Sequence, residues 1–162
     1  MHWLKQWWPA LVWAIVISGF STGAFTAENT SRIIIPVLHW LLPHADPAQL
    51  AEYHHLIRKC GHLTEYFILS LLILRGIRAG RHDMRFTWAL AVVGIVAAYA
   101  SLDEFHQSFV PGRTPLITDV LIDTTGGIAA QVVAALLILW AHARHKQTRE
   151  SSEPETKKPA AS

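Results

Sequence analysis

The stretch Phe86–Leu102, FTWALAVVGIVAAYASL, contains no charged residue, and it runs without a break into Asp103–Arg113, DEFHQSFVPGR. A helix rising about 1.5 Å per residue covers roughly 26 Å over the apolar run, close to the ~30 Å hydrocarbon core of a bilayer. The run therefore reads as a transmembrane helix. The polar run after it is either a wet loop or the head of a site built where the helix ends.

Three more stretches lead outward to the same environment. Between Lys5 and Glu28 the chain is charge-free, and Trp3, Trp7 and Trp8 sit where an interfacial belt belongs. This predicts a first span over about 8–26. The rival reading is a signal peptide, with Lys5 as its basic start and Thr22-Gly23-Ala24 as a cleavage site, although the apolar part is long for one. A second span, about 61–76, carries His62 and Glu65 inside it. The third is the opening run, about 86–103, and the fourth covers about 120–143, where only Asp123 is charged before Arg144. A hydrophobic share of 51%, seven Trp and a mean hydropathy of +0.26 fit a membrane protein better than a soluble domain.

The expected fold is all-α: four transmembrane helices in a small bundle, one domain over 1–143, then a disordered polar cytoplasmic tail over 144–162. Ile33–Leu42, IIIPVLHWLL, is too short to cross and contains Pro36, so it reads as a short interfacial or re-entrant helix in the first external loop. Asp46 is placed as an N-cap with Pro47 at the first helical position, which starts the second span's helix well outside the bilayer.

Lys and Arg orient the bundle. Ten lie in the N-terminus, the loop 75–85 and the tail, against four on the other side, namely Arg32, Arg58, Lys59 and Arg113. The positive-inside rule then puts both termini in the cytoplasm and DEFHQSFVPGR on the outer side. The net charge of +2 does not gather into a basic patch with interleaved aromatics, which argues against nucleic acid. The single cysteine, Cys60, permits no internal disulfide and matches no zinc pattern.

Depth and phase bring the polar residues together. Arg58 and Arg75 are roughly 26 Å apart along a helix, so His62 and Glu65 lie below the outer surface, while Asp103 and Asp123 reach the outer boundary of their own spans. At 100° per residue Arg58, His62 and Glu65 share a stripe, as do Asp119 with Asp123, and Asp103 with His106 and Gln107. An ionised side chain in a membrane costs at least ~2.5 kcal/mol on insertion scales, so each stripe is expected to face the bundle and pair there. Small residues at i, i+4 offer close approach: Gly19, Gly23 and Ala27; Gly94 and Ala98; Gly126, Ala130 and Ala134.

Blander readings stand beside this one. Arg58 and Lys59 suit interfacial anchoring, and a Glu65 pair suits a structural clasp. His62 and Glu65 at i, i+3 are not the HExxH arrangement, so no metal or other cofactor is assigned. No nucleophile elbow and no Gly-rich phosphate loop is present.

Three ordered segments, RKCGHLTEY at Arg58–Tyr66, DEFHQSFVPGR at Asp103–Arg113 and DVLIDTTGG at Asp119–Gly127, resemble the VanZ-like membrane family. The resemblance carries over to Lys59, His62, Glu65, Tyr66, Asp103, Glu104, Gln107, Phe109, Pro111, Gly112, Arg113, Asp119, Asp123 and Gly126. Gly61 and Leu63 depart from it, standing where Ala and an aromatic are more usual, and the polar tail lies outside it. It implies a small bacterial inner-membrane protein in a family named for a member associated with resistance to the glycopeptide teicoplanin.

Two functions compete. In the first, an outward-facing pocket of Arg58, Lys59, His62, Glu65, Asp103, Glu104, Arg113 and Asp119 binds a lipid head group or cell-wall precursor, and the Pro111-Gly112 turn aims Arg113 back over the helix ends. In the second, the same pocket is the site of an intramembrane enzyme, with Glu65 or Asp103 as base, His62 as proton shuttle and Arg113 stabilising negative charge.

Overall fold

The computed structural model describes residues 2–22, 26–81, 83–110 and 116–152. They form five helices: α1 (His2–Phe20), α2 (Ala27–Leu41), α3 (Pro47–Arg78), α4 (Phe86–Gln107) and α5 (Ile117–Ser152). No strand occurs among the described residues. Three helices, α3, α4 and α5, are long and apolar enough to cross a membrane. α1, expected as a fourth span, is not one of them; it is 19 residues long, carries Lys5 near its start and has Pro9 inside it.

α1 also stops earlier than expected. It ends at Phe20, and the chain turns at Ser21 and Thr22, where the Thr22 hydroxyl donates to the Gly19 carbonyl at 2.7 Å. A new helix then begins after Thr26, whose side chain accepts from the Asn29 N–H. The apolar run is thus divided by Ser, Thr and Gly, residues that offer the backbone hydrogen-bonding alternatives to a helix. The short segment around Pro36 belongs to α2, a helix with Ile33, Val37, Trp40 and Leu41 exposed.

α3 begins as its sequence specifies. Asp46 accepts from the Gln49 N–H, Gln49 returns a bond to the Asp46 N–H, and Pro47 occupies the first turn, a complete capping box. At ~1.5 Å per residue this 32-residue helix is about 48 Å long, more than one bilayer core is thick. It ends at Ala79 in the left-handed region, followed by Gly80 at φ 84°. α5 runs past Arg144 to Ser152, so the expected unstructured tail does not start at 144; residues 153–162 lie outside the described set.

The core gathers Ile17 from α1, Tyr66, Leu69 and Ile73 from α3, Val92, Val96 and Ala100 from α4, and Ala134 from α5. Close approach is real in places: a Cβ on Gly126 would run into the Leu63 carbonyl of α3, and one on Gly127 would meet Val96 of α4. Gly19 and Gly94 have open space around them, so those two expected contacts do not form among the described residues. Polar stitches cross the same interface. The Ser70 hydroxyl donates to the Gly127 carbonyl at 2.9 Å, and Gln131 Nε2 donates to Ser70 Oγ at 2.8 Å. α1 is fastened by Trp13 Nε1 donating to the Glu65 carbonyl at 2.9 Å and by the Tyr99 hydroxyl donating to the Ala14 carbonyl at 2.6 Å. Such bonds suit a medium that supplies no water to unpaired groups.

Candidate functional site

The start of α2, the N-terminal half of α3, the end of α4 and the start of α5 meet at one end of the bundle. They enclose a cavity of about 360 Å³ lined by His54, His55, Arg58, Lys59, His62, Gln107 and Asp119, with Ala27, Ala51, Leu116 and Ile122. The α3 contribution is a consequence of helical phase, because positions 54, 58 and 62 recur at i, i+4 on one face.

The expected residues do not all enter this cavity, but most cluster around it. His62 Nδ1 lies 3.5 Å from Asp123 Oδ1, with Asp123 buried. That separation is an ion-pair contact, longer than a directed hydrogen bond. Asp103 is also buried and turns to α1: its Oδ2 accepts from the Ser21 hydroxyl at 2.6 Å and from Gln107 Nε2 at 2.8 Å, and Gln107 Nε2 lies 3.2 Å from Ser21 Oγ. Glu104 does something the sequence did not suggest. Its Oε1 accepts from the backbone N–H of Leu116 at 2.6 Å, immediately before α5 begins. A carboxylate from one helix thereby serves the entrance of the next, as the Glu of a capping box does within a single helix.

Glu65 is half-buried and lines a neighbouring cavity of about 230 Å³ with Arg58, His62, Gly61, Ile57, Phe20, Ser21, Thr30 and Ile34. Asp119 is half-buried on the wall of the first cavity. Tyr66 is fully buried beneath both, its ring 6.1 Å from that of Tyr99 and its hydroxyl without a hydrogen-bond partner among the described residues. His106, although it shares a stripe with Asp103, is exposed, as is Phe109. Pro111, Gly112 and Arg113 lie outside the described residues.

Sequence reasoning missed Ser21, Thr30, His54 and His55. His54 is buried, lies 3.2 Å from the Thr30 hydroxyl through Nε2, and joins α2 to α3. It sits one turn before Arg58 on the same stripe, so the i, i+4 spacing was sufficient to find it. Ser21 had no such signal, since its partners are 82 and 86 positions away.

The sequence model of the VanZ/LLP1 family matches residues 7–139, which span α1 through most of α5. No curated protein and no solved structure gives a match.

Proposed function

The chain belongs to the VanZ/LLP1 family, and from that premise we propose that it is an inner-membrane protein which binds a phosphate- or carboxylate-bearing component of the cell envelope at the polar end of its bundle. The reading includes α1 as a fourth span, both termini in the cytoplasm and the polar end facing outward, which the ten-to-four division of Lys and Arg supports. The observation that carries the binding role is the cavity in which Arg58 and Lys59 stand beside three histidines. A guanidinium and an ammonium in a partly enclosed, low-dielectric recess suit an anion better than they would in open water. Arg113, after the Pro111-Gly112 turn, joins this proposal on sequence grounds, as a second guanidinium folded over the opening.

The test uses the full chain in lipid nanodiscs with glycerol 3-phosphate as probe. Lys59→Ala should weaken its binding about tenfold, the effect of losing one charged contact. Unchanged binding, or none by the parent chain, removes the anion-site reading.

One observation favours a second reading. The buried Asp123 carboxylate stands 3.5 Å from His62 Nδ1, and a carboxylate beside an imidazole supports the reading of that histidine as an acid or base. An enzyme of this kind would work on the same head group, with Glu65 in the adjoining wall as a further acid or base. Asp123→Asn separates the two: a binder retains affinity for the probe, whereas an enzyme loses turnover at retained affinity. Any part in glycopeptide resistance would depend on engagement of the envelope component and is tested by teicoplanin susceptibility of a strain expressing parent or Lys59→Ala protein.

A further inference from the structure

Two cavities of different character meet at the same two side chains. The first, between the start of α2, α3, α4 and α5, is walled by charged and imidazole groups; the second, between α1, α2 and α3, offers mostly hydrocarbon from Phe20, Ile34 and Ile57, with Glu65 as its one carboxylate among the lining residues. Arg58 and His62 belong to both walls. Phe20 and Ile57 are 38% and 44% exposed, so the second cavity opens onto the bundle's apolar exterior. Next to it on α2, Ile33 and Trp40 are 72% and 80% exposed, an apolar surface that suits lipid and not water.

Building on the anion-binding reading, we propose that the ligand is a phosphate-bearing membrane lipid, with its head group in the polar cavity and the first part of its hydrocarbon chain in the cavity between α1, α2 and α3. Arg58 and His62 stand at the junction where the phosphate of such a molecule changes from polar to apolar surroundings. Charge complementarity selects the anionic head: Arg58 and Lys59 oppose one carboxylate on that wall, Asp119. The hydrocarbon wall selects the chain, because a water-soluble phosphate would leave Phe20, Ile34 and Ile57 uncovered by ligand. Entry is from the side, through the bilayer, past the α2 and α3 surfaces that carry Ile33 and Ile57.

The experiment measures retention of dioleoyl phosphatidylglycerol by the full chain in detergent, using native mass spectrometry, against binding of glycerol 3-phosphate, which has the phosphate and no chains. The lipid should bind at least about tenfold more tightly than glycerol 3-phosphate. Ile57→Trp, which fills the apolar cavity from an exposed position, should weaken lipid binding about fivefold or more and leave glycerol 3-phosphate unchanged. Ile34→Trp should do the same from α2, so a folding defect in one variant does not decide the matter. Leu136→Trp on the exposed face of α5 is the control and should change neither. Equal affinity for lipid and glycerol 3-phosphate, or lipid binding unaffected by both filled-cavity variants, would overturn the lipid assignment while leaving the anion site standing. Binding of neither probe by the parent chain would overturn both readings.

Discussion

The two ends of the bundle carry charge in opposite ways. At the end where α3 begins, carboxylates are buried and tied across helices: Asp103 to Ser21 of the turn after α1, Glu104 to the entrance of α5, Asp123 to His62 of α3. At the other end, Arg75, Arg81, Asp83 and Arg85 keep their charges at the surface. Arg85 pairs with Asp83 two positions away with both side chains exposed, Arg81 and Arg85 lie over the Trp88 ring at 5.7 and 5.0 Å, and Arg75 donates to the Gln6 carbonyl at the surface. The basic end resembles an interfacial anchor, where side chains keep their heads in water. The acidic end forgoes that solvation and replaces it with protein partners. A chain that needed only to stay in the membrane could do so with the first arrangement alone, and this asymmetry supports the proposal of a site at one end.

The comparison breaks most severely where α3 and α5 are pressed together. Gly126→Leu should abolish folding or cost at least ~3 kcal/mol, because the new side chain must displace the Leu63 backbone and not a flexible side chain. Yield and elution profile of the detergent-solubilised protein read this out; a well-behaved, thermally normal Gly126→Leu protein would mean that α3 and α5 do not pack this closely. Next comes Asp103→Ala, which strands the Ser21 hydroxyl and the Gln107 amide in a buried setting and should lower stability by ~2–3 kcal/mol. Asp103→Asn keeps an acceptor and should lose less. If both substitutions shift the thermal midpoint equally, the hydrogen bonds that an acceptor oxygen at position 103 can retain contribute nothing to stability. Glu104→Ala ranks third at about 1–2 kcal/mol, the range for losing a helix-entrance partner, with faster hydrogen exchange at the first turn of α5 as its particular signature.

How much of this contrast is legible in the sequence depends on the distance over which each feature is specified. The Asp46 cap and the start of α3 were legible because every partner lies within three positions. The stripe of Arg58 and His62 was legible because a helix fixes relative direction within two turns, and the same rule would have added His54. The break after Phe20 was not, because a charge-free run up to Glu28 satisfies a membrane by composition alone. The helix stops where Ser21 reaches Asp103, a tertiary contact that composition does not display. Likewise the position of Glu104 within DEFHQSFVPGR marked it as polar, but only the chain's return at Leu116 gave it a partner. His106 shows the converse: its phase suggested the bundle interior, yet it is exposed, since α4 ends at Gln107 and the last turn of a helix has neighbours on fewer sides.

The smallest expected effect sharpens the comparison from the quiet side. Arg81→Ala removes a cation lying 5.7 Å from the centre of the Trp88 ring, at the long end of the range for such contacts, and Arg85 sits closer over the same ring. The indole therefore keeps its cation when Arg81 is lost. No buried partner is stranded, because Arg81 is exposed and makes no salt bridge among the described residues. Stability should change by no more than ~0.5 kcal/mol, as for an ordinary surface substitution. The measurement is the thermal midpoint of Arg81→Ala beside that of Asp103→Ala in one detergent. A loss at Arg81 as large as that at Asp103 would show that both ends hold the bundle together through their charges, and the assignment of function to the acidic end would lose its physical basis.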